Sequence, residues 1–166
     1  MKKVIGLLVM LAAASAYADD PKYVTTEQAQ KITAQDYNPG ALRHIVIFKF
    51  RPEVTAAQIQ DINTRFLALK SECLRDGKKY IRSIDSGLAN SPEGADQGKQ
   101  IGFIVTLNSE GDRNYYVGQP QINPTDTDYF DPAHVKFKNI VGPLLATPVV
   151  PDGVFVFDYK VTGIAK

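Results

Sequence analysis

The sequence of 166 residues contains no tryptophan, a single cysteine and two histidines. One cysteine excludes a disulfide within the chain and any zinc site built from several cysteines. Two histidines leave little from which to build a histidine-based metal centre. A formal net charge of +1 excludes nucleic-acid binding through a strong, uniform basic field, although a local patch stays open. What is present, 44% apolar and 22% charged residues, is typical of a folded globular protein.

The first 18 residues are typical of a bacterial secretory signal peptide. Lys2 and Lys3 give a positive start, residues 4–14 form an apolar run, and residues 16–18 are a small-x-small cleavage pattern. The run is short for a membrane span, so an uncleaved anchor is the less favoured alternative. The sequence therefore predicts cleavage after Ala18, a periplasmic or secreted protein, and no membrane association after cleavage.

Two regions follow the predicted signal peptide. Residues 19–41 are polar and are interpreted as an N-terminal extension, with a short helix that Thr25 and Gln28 could cap. Residues 42–166 are interpreted as one domain. Within the domain, β-branched and aromatic residues predict strands at 44–50, 80–88, 100–107 and 154–161.

Helical spacing of apolar residues follows the first and third of these strands. Thr55 and Gln58 form a capping signal, and the helix is predicted to end at Asp76-Gly77. One apolar stripe runs along this helix and includes the cysteine, which is expected to be buried and inert: Ile59, Ile62, Phe66, Leu69 and Cys73. A short helical stretch is possible at 109–116, and residues 117–132 are rich in proline. Residues 133–145 predict the second long helix, which Gly142-Pro143 should kink or end early.

The order β-α-β-β-α-β predicts an α+β fold, a ferredoxin-like protomer with a four-stranded antiparallel sheet and both helices on one face. Three of the strands are apolar on both faces, so the helices leave one apolar face uncovered. The sequence therefore predicts a homodimer with the two sheets packed face to face. Substitution of Ile47 or Val46 by aspartate tests this prediction, and the choice depends on which face is inward. Residues 19–41 folded over the open face are the alternative. The side chain of Lys49 points to the face opposite His44. If that face lines the dimer interior, Lys49 needs a carboxylate or an anionic ligand as partner. The favoured alternative is that it extends to water at the rim of the barrel.

These residues resemble a known family. HIVIFKF at 44–50, the amphipathic helix after it, FDPAHVKF at 130–137 and VFVFDY at 154–159 are similar to the stress-responsive α/β barrel family, often called Dabb. The resemblance implies a ferredoxin-like protomer in a dimeric α/β barrel. Functions in the family vary, and one plant member is a polyketide cyclase that closes its product by a cofactor-free aldol-type condensation.

The resemblance to that cyclase implies candidate site residues. The first-strand histidine corresponds to His44, and the histidine of the Pro-x-His motif corresponds to His134. The tyrosine of the cyclase falls on Tyr116 when counted from the third strand and near Tyr129 when counted from the second histidine. Asp131 stands where the cyclase has another histidine, which weakens the transfer of its chemistry.

The chemistry of these side chains suits proton transfer without a metal or a cofactor. A histidine titrates near neutrality and can accept or return a proton, and a tyrosine hydroxyl can donate a hydrogen bond to a carbonyl oxygen. In this hypothesis His134 is the base, while His44 and Tyr116 or Tyr129 orient the substrate. The alternative is that His44 is an ordinary core residue and His134 supports the start of a helix. A metal held by His44, Asp131 and His134 is less favoured, because an aspartate before proline is typical of a turn or a helix cap.

Three functions remain open at this level. The favoured one is an exported family member that binds a small, largely apolar ligand in a dimeric barrel. The second is a cyclase-like or lyase-like enzyme that uses the two histidines. The third is a structural, stress-associated dimer without a ligand. A pocket that holds both imidazoles favours the enzyme, and the two imidazoles share a pocket only if His44 points with Val46 and Phe48 towards the helices.

Overall fold

The computed structural model describes residues 23–118 and 121–163. The predicted signal peptide lies outside these residues. Among the helices described, none is both long enough and apolar enough to cross a membrane. The fold is α+β, with a four-stranded antiparallel sheet and helices packed on one of its faces, as the sequence predicts.

The described N-terminal residues, from residue 23 on, form one short helix and the start of the first strand. Helix α1 (Thr26–Thr33) follows Thr25, whose hydroxyl accepts the Gln28 amide while the Gln28 side chain accepts the Thr25 amide. This is the predicted capping box. Strand β1 (Pro39–Phe48) begins before the predicted strand at 44–50, with an irregular register between Pro39 and Leu42. Residues 39–41, which the sequence assigned to the extension, therefore belong to the sheet.

The first long helix ends earlier than the sequence predicts. Helix α2 (Ala56–Glu72) begins at the predicted cap, Thr55, and stops before Cys73. Asp76 and Gly77 do not end it. Both have positive φ angles, 51° and 73°, and form the two-residue turn of a small hairpin, β2 (Leu74–Arg75) and β3 (Lys78–Lys79). Asp-Gly is favoured in such turns because both positions need the left-handed conformation. Helix ends favour the same dipeptide, so the sequence pattern suits a helix end and a hairpin equally.

The second half of the chain follows the predicted order. Strand β4 (Ser83–Leu88) pairs with β5 (Ile101–Ser109), and the polar residues between them form a loop. Helix α3 (Glu110–Val117) begins at Ser109, whose hydroxyl accepts the Asp112 amide. In the part of the proline-rich stretch that the structure describes, Thr127–Tyr129 forms a 3-10 turn.

Helix α4 and strand β6 complete the domain. Helix α4 (Pro132–Val141) is followed by a 3-10 turn, Gly142–Leu144, so the regular helix ends early at Gly142-Pro143, as the sequence predicts. Pro143 lacks the amide hydrogen that an α-helix would need there. Strand β6 (Val154–Lys160) is antiparallel to β1.

The sheet order β4-β5-β1-β6 places β1 in the interior, between β5 and β6. Alternate residues of β1 and β5 face α2 and α4, and Phe66 of α2 stacks on Phe103 of β5 with ring centroids 3.8 Å apart. Cys73 is fully buried beside this core, and burial raises the pKa of its thiol above the ordinary value.

The opposite face of the sheet is apolar and uncovered in the described chain. Strand pairing puts Ile45 and Ile47 on this face with three aromatic side chains of β6, which are 38–54% exposed: Phe155, Phe157 and Tyr159. Val46 points the other way, towards the helices, where it is buried. The described part of the extension does not cover the open face, because α1 packs against α3 and the 3-10 turn. Lys49 lies at the edge, half-exposed, and its Nζ is 3.0 Å from the carboxylate of Asp152.

Candidate functional site

The strand register brings a carboxylate to His44. His44 on β1 lies directly opposite Asp158 on β6, and both side chains face the helices. The His44 Nδ1 and an Asp158 oxygen are 2.6 Å apart, so Nδ1 carries the hydrogen and the carboxylate accepts it. His44 is 4% exposed. The pair fixes the ring and leaves Nε2 as the nitrogen that can accept a proton.

Asp158 has a second partner from helix α3. Arg113 donates from its guanidinium to the other oxygen of Asp158. Burial by itself would raise the pKa of Asp158, but the hydrogen bonds and positive charge of His44 and Arg113 outweigh it, and the pKa lies below its ordinary value. The carboxylate is therefore ionised at neutral pH and aligned on His44. Sequence reasoning missed Asp158, although it is the one acidic residue in an otherwise apolar strand pattern, VFVFDYK.

The ring of His134 is held by a backbone carbonyl instead of a carboxylate. It lies in the first turn of α4, and its Nδ1 is 2.6 Å from the carbonyl oxygen of Tyr116, so Nδ1 is the donor and Nε2 has no proton in the neutral ring. Burial is the largest cause that lowers the pKa of His134, the charge of Lys138 and a smaller effect of His44 act in the same direction, and the bond to the Tyr116 carbonyl opposes them, so that the pKa lies at about 3. His134 is therefore neutral at pH 7.

The start of α4 is fixed by Asp131. One oxygen of its buried carboxylate accepts the amides of Ala133 and His134 at 2.8 and 3.2 Å, and the other accepts the Tyr80 hydroxyl at 2.7 Å. The carboxylate is thus a helix cap, the role favoured for it by the sequence. Across the described chain, histidine, cysteine and acidic side chains form no group of three or more that could hold a metal ion.

Tyr116 separates the two histidines. Its ring stacks on His134 with a centroid distance of 3.8 Å and meets His44 edge-on at 5.7 Å. The residue is fully buried, its hydroxyl has no hydrogen-bond partner among the described residues, and burial raises its pKa well above 10. Tyr129 lies in the 3-10 turn and is partly exposed. Neither tyrosine lines the cavity that both histidines share.

That cavity has a volume of about 480 Å³ and lies between the sheet and α4. Two histidines and one lysine interrupt a lining of aliphatic and aromatic side chains. The lining residues are His44, Val46, Phe48, Phe66, Val117, His134, Phe137, Lys138, Val141, Gly142, Leu145, Val149, Val150, Val154 and Val156.

A smaller and more polar pocket of about 200 Å³ is also bordered by His44, Val117 and Val156, which line the main cavity too. Arg113 and Asp158 line the smaller pocket. His44 therefore lies where an apolar space meets a charged one. Sequence reasoning also missed Lys138, whose only signal is its position one helical turn after His134.

The neutral state of His134 makes stability depend on pH. The unfolded histidine binds a proton below its ordinary pKa of 6.5, while the folded one stays neutral until about 3. Acidification from neutrality through this window therefore favours the unfolded chain. His134→Asn keeps a donor for the Tyr116 carbonyl but does not titrate. Between about pH 7 and pH 4.5 the wild type should lose about 2 to 3 kcal/mol more free energy of unfolding than the variant, as measured by urea denaturation at both pH values. Equal losses in the two proteins would contradict a neutral His134.

Several solved structures share this fold. A protein of Arabidopsis thaliana is 22% identical, has a TM-score of 0.56, and aligns with 75% of this chain and 99% of its own. A hydroxynitrile lyase of Passiflora edulis is 16% identical, has a TM-score of 0.56, and aligns with 77% of this chain and 99% of its own. A dimeric ferredoxin-like protein of unknown function from Jannaschia is 17% identical, has a TM-score of 0.53, and aligns with 74% of this chain and 100% of its own. At these identities the likeness shows the fold alone.

No curated protein matches this chain significantly. The sequence model of the stress-responsive A/B barrel domain matches residues 42–161, which include both histidines, Asp158 and all four strands of the main sheet from Leu42 onward. The chain therefore belongs to the stress-responsive A/B barrel family, Dabb.

Proposed function

We propose that this protein is an exported, homodimeric member of the family that binds a small, largely apolar molecule in the cavity between the sheet and α4. The observation that carries the proposal is the cavity itself, whose aliphatic and aromatic walls enclose two buried imidazoles. Apolar pockets with a few polar groups are typical of small-molecule sites. Export rests on the signal-peptide pattern. Mass spectrometry of the exported protein should give the mass of a chain that begins at Asp19.

Ligand binding can be tested with a neutral apolar dye, N-phenyl-1-naphthylamine. We expect saturable binding of one dye per chain, measured by fluorescence. Val156 lines the cavity from the edge strand and is half-exposed, so Val156→Trp narrows the space at little cost to packing. This variant should weaken dye binding by about tenfold or more.

Leu67→Trp is the matched control, because Leu67 is 38% exposed on α2 and lies outside the cavity. It should bind the dye as the wild type does. Dye that does not bind the wild type, or that binds Val156→Trp equally well, would count against a ligand site and favour a structural dimer.

The homodimer rests on the uncovered face of the sheet. This face is apolar along β1 and β6, and two solved neighbours with this fold are dimeric ferredoxin-like proteins. Packing two such faces together would remove the exposed aromatic side chains from water. The same sheet would then serve the ligand on one face and the second copy on the other.

An aspartate on the open face should break the dimer. Ile47→Asp and Phe157→Asp each place a carboxylate in the proposed apolar contact between the two sheets, and burying an unpaired charge costs several kcal/mol. Because both positions face outward in the single chain, the variants should keep the native circular dichroism spectrum and become monomers in light scattering. Leu67→Asp, on α2, should stay dimeric. A wild type that is monomeric at micromolar concentration would refute the proposal.

A second candidate function, proton transfer in the cavity, is favoured by the His44–Asp158 pair. When His44 accepts a proton at Nε2, the aligned carboxylate stabilises the imidazolium that forms. His134 lacks such a carboxylate, and its lowered pKa makes it a weak base. The sequence hypothesis made His134 the base. We propose instead that His44 is the base and that His134 is its neutral partner. The hydroxynitrile lyase of Passiflora edulis has this fold, so the fold can support an enzyme.

Proton transfer can be followed with 2-octanone in D₂O. We expect the wild type to speed exchange of the hydrogens next to the carbonyl, recorded by proton NMR. Asp158→Asn removes the charge that supports His44 and should slow exchange by at least about tenfold, since positioned bases contribute roughly 10²–10⁴-fold. Leu67→Trp is again the control. Exchange no faster than in buffer would leave the cavity as a binding site only.

A further inference from the structure

Lys138 is the one primary amine in the lining of the cavity. It follows His134 by one turn of α4, so both side chains project from the same side of the helix. Its Nζ donates to the carbonyl oxygen of Val117 at 3.0 Å, a neutral acceptor at the end of α3. The ammonium is therefore tied to the cavity wall by one of its three donors.

No carboxylate balances this charge in the part of the chain that the structure describes. Lys138 forms no ion pair there. Asp158 is the carboxylate bonded to His44 of the cavity lining. Both of its oxygens are engaged, one by His44 and one by Arg113. His134 contributes no negative charge. A half-buried ammonium with one neutral acceptor and apolar neighbours lacks a counterion.

Burial has the effect expected of such a group. It lowers the pKa of Lys138 below the ordinary value of 10.5, and no neighbouring carboxylate raises it again. An anion bound beside the ammonium would reverse this effect by favouring the charged form. The apolar lining from β1 and β6, including Val46 and Val156, could accommodate a hydrocarbon chain attached to that anion.

We propose that the ligand of this cavity is an amphipathic carboxylic acid, an alkyl or arylalkyl carboxylate, whose carboxylate pairs with Lys138 while its apolar part contacts the wall formed by β1 and β6. A carboxylate carries one negative charge and balances one ammonium, whereas a phosphate dianion would leave an excess charge in an apolar space. This inference rests on the proposed function, because it names the chemistry of the molecule bound there. It also assigns Lys138 the role of selecting the charged end.

The test compares octanoate with 1-octanol, which has the same chain length and no charge. Both compete with N-phenyl-1-naphthylamine, and octanoate binding is also measured directly by calorimetry. The wild type should prefer octanoate by about tenfold or more. Lys138→Met removes the charge and shortens the side chain by one atom, and it should bind octanoate no better than 1-octanol. Lys138→Arg should retain part of the preference.

Lys136→Met is the matched control, because Lys136 lies on the same helix and is exposed outside the cavity. It should prefer octanoate as the wild type does. If the dye binds but octanoate gains nothing over 1-octanol, or if Lys138→Met keeps the preference, the inference fails and the proposed function stands. If neither the dye nor octanoate binds the wild type, both fail together.

Discussion

The position of β1 between β5 and β6 is the constraint on which both faces of this molecule depend. Side chains alternate along a strand, so each residue of β1 is committed to one side of the sheet. His44, Val46 and Phe48 face the helices, and Ile45 and Ile47 face away. A shift of one residue in the pairing with β6 would turn Asp158 away from His44 and bring an aromatic residue in its place. The site and the open apolar face therefore follow from a single register.

The polar groups of the cavity are satisfied in pairs, with one exception. His44 donates to Asp158, which also accepts from Arg113, and His134 donates to the carbonyl of Tyr116. Each imidazole thus has a fixed donor nitrogen. Lys138 differs, because it is a cation whose acceptor is a neutral carbonyl. The uneven distribution of charge in an otherwise apolar space gives the cavity one end suited to an anion and a remainder suited to hydrocarbon.

The two histidines occupy different electrostatic environments although they line one cavity. The ring of His44 donates to a carboxylate, while burial and the charge of Lys138 keep His134 neutral. Tyr116 lies between their rings and contributes packing from its faces, since its hydroxyl is buried away from the cavity.

The sequence by itself determined the element order, the helix caps at Thr25 and Thr55, and the surplus of apolar strand faces, because these depend on neighbouring residues and on periodicity. It did not determine that Asp76-Gly77 turns a hairpin, since the same dipeptide ends helices and connects strands. Asp158 and Lys138 were missed for a related reason. Asp158 is 114 residues from His44, and only strand pairing brings them together. The tertiary structure likewise places Tyr116 of α3 against both histidine rings, a contact that spacing along the chain does not set.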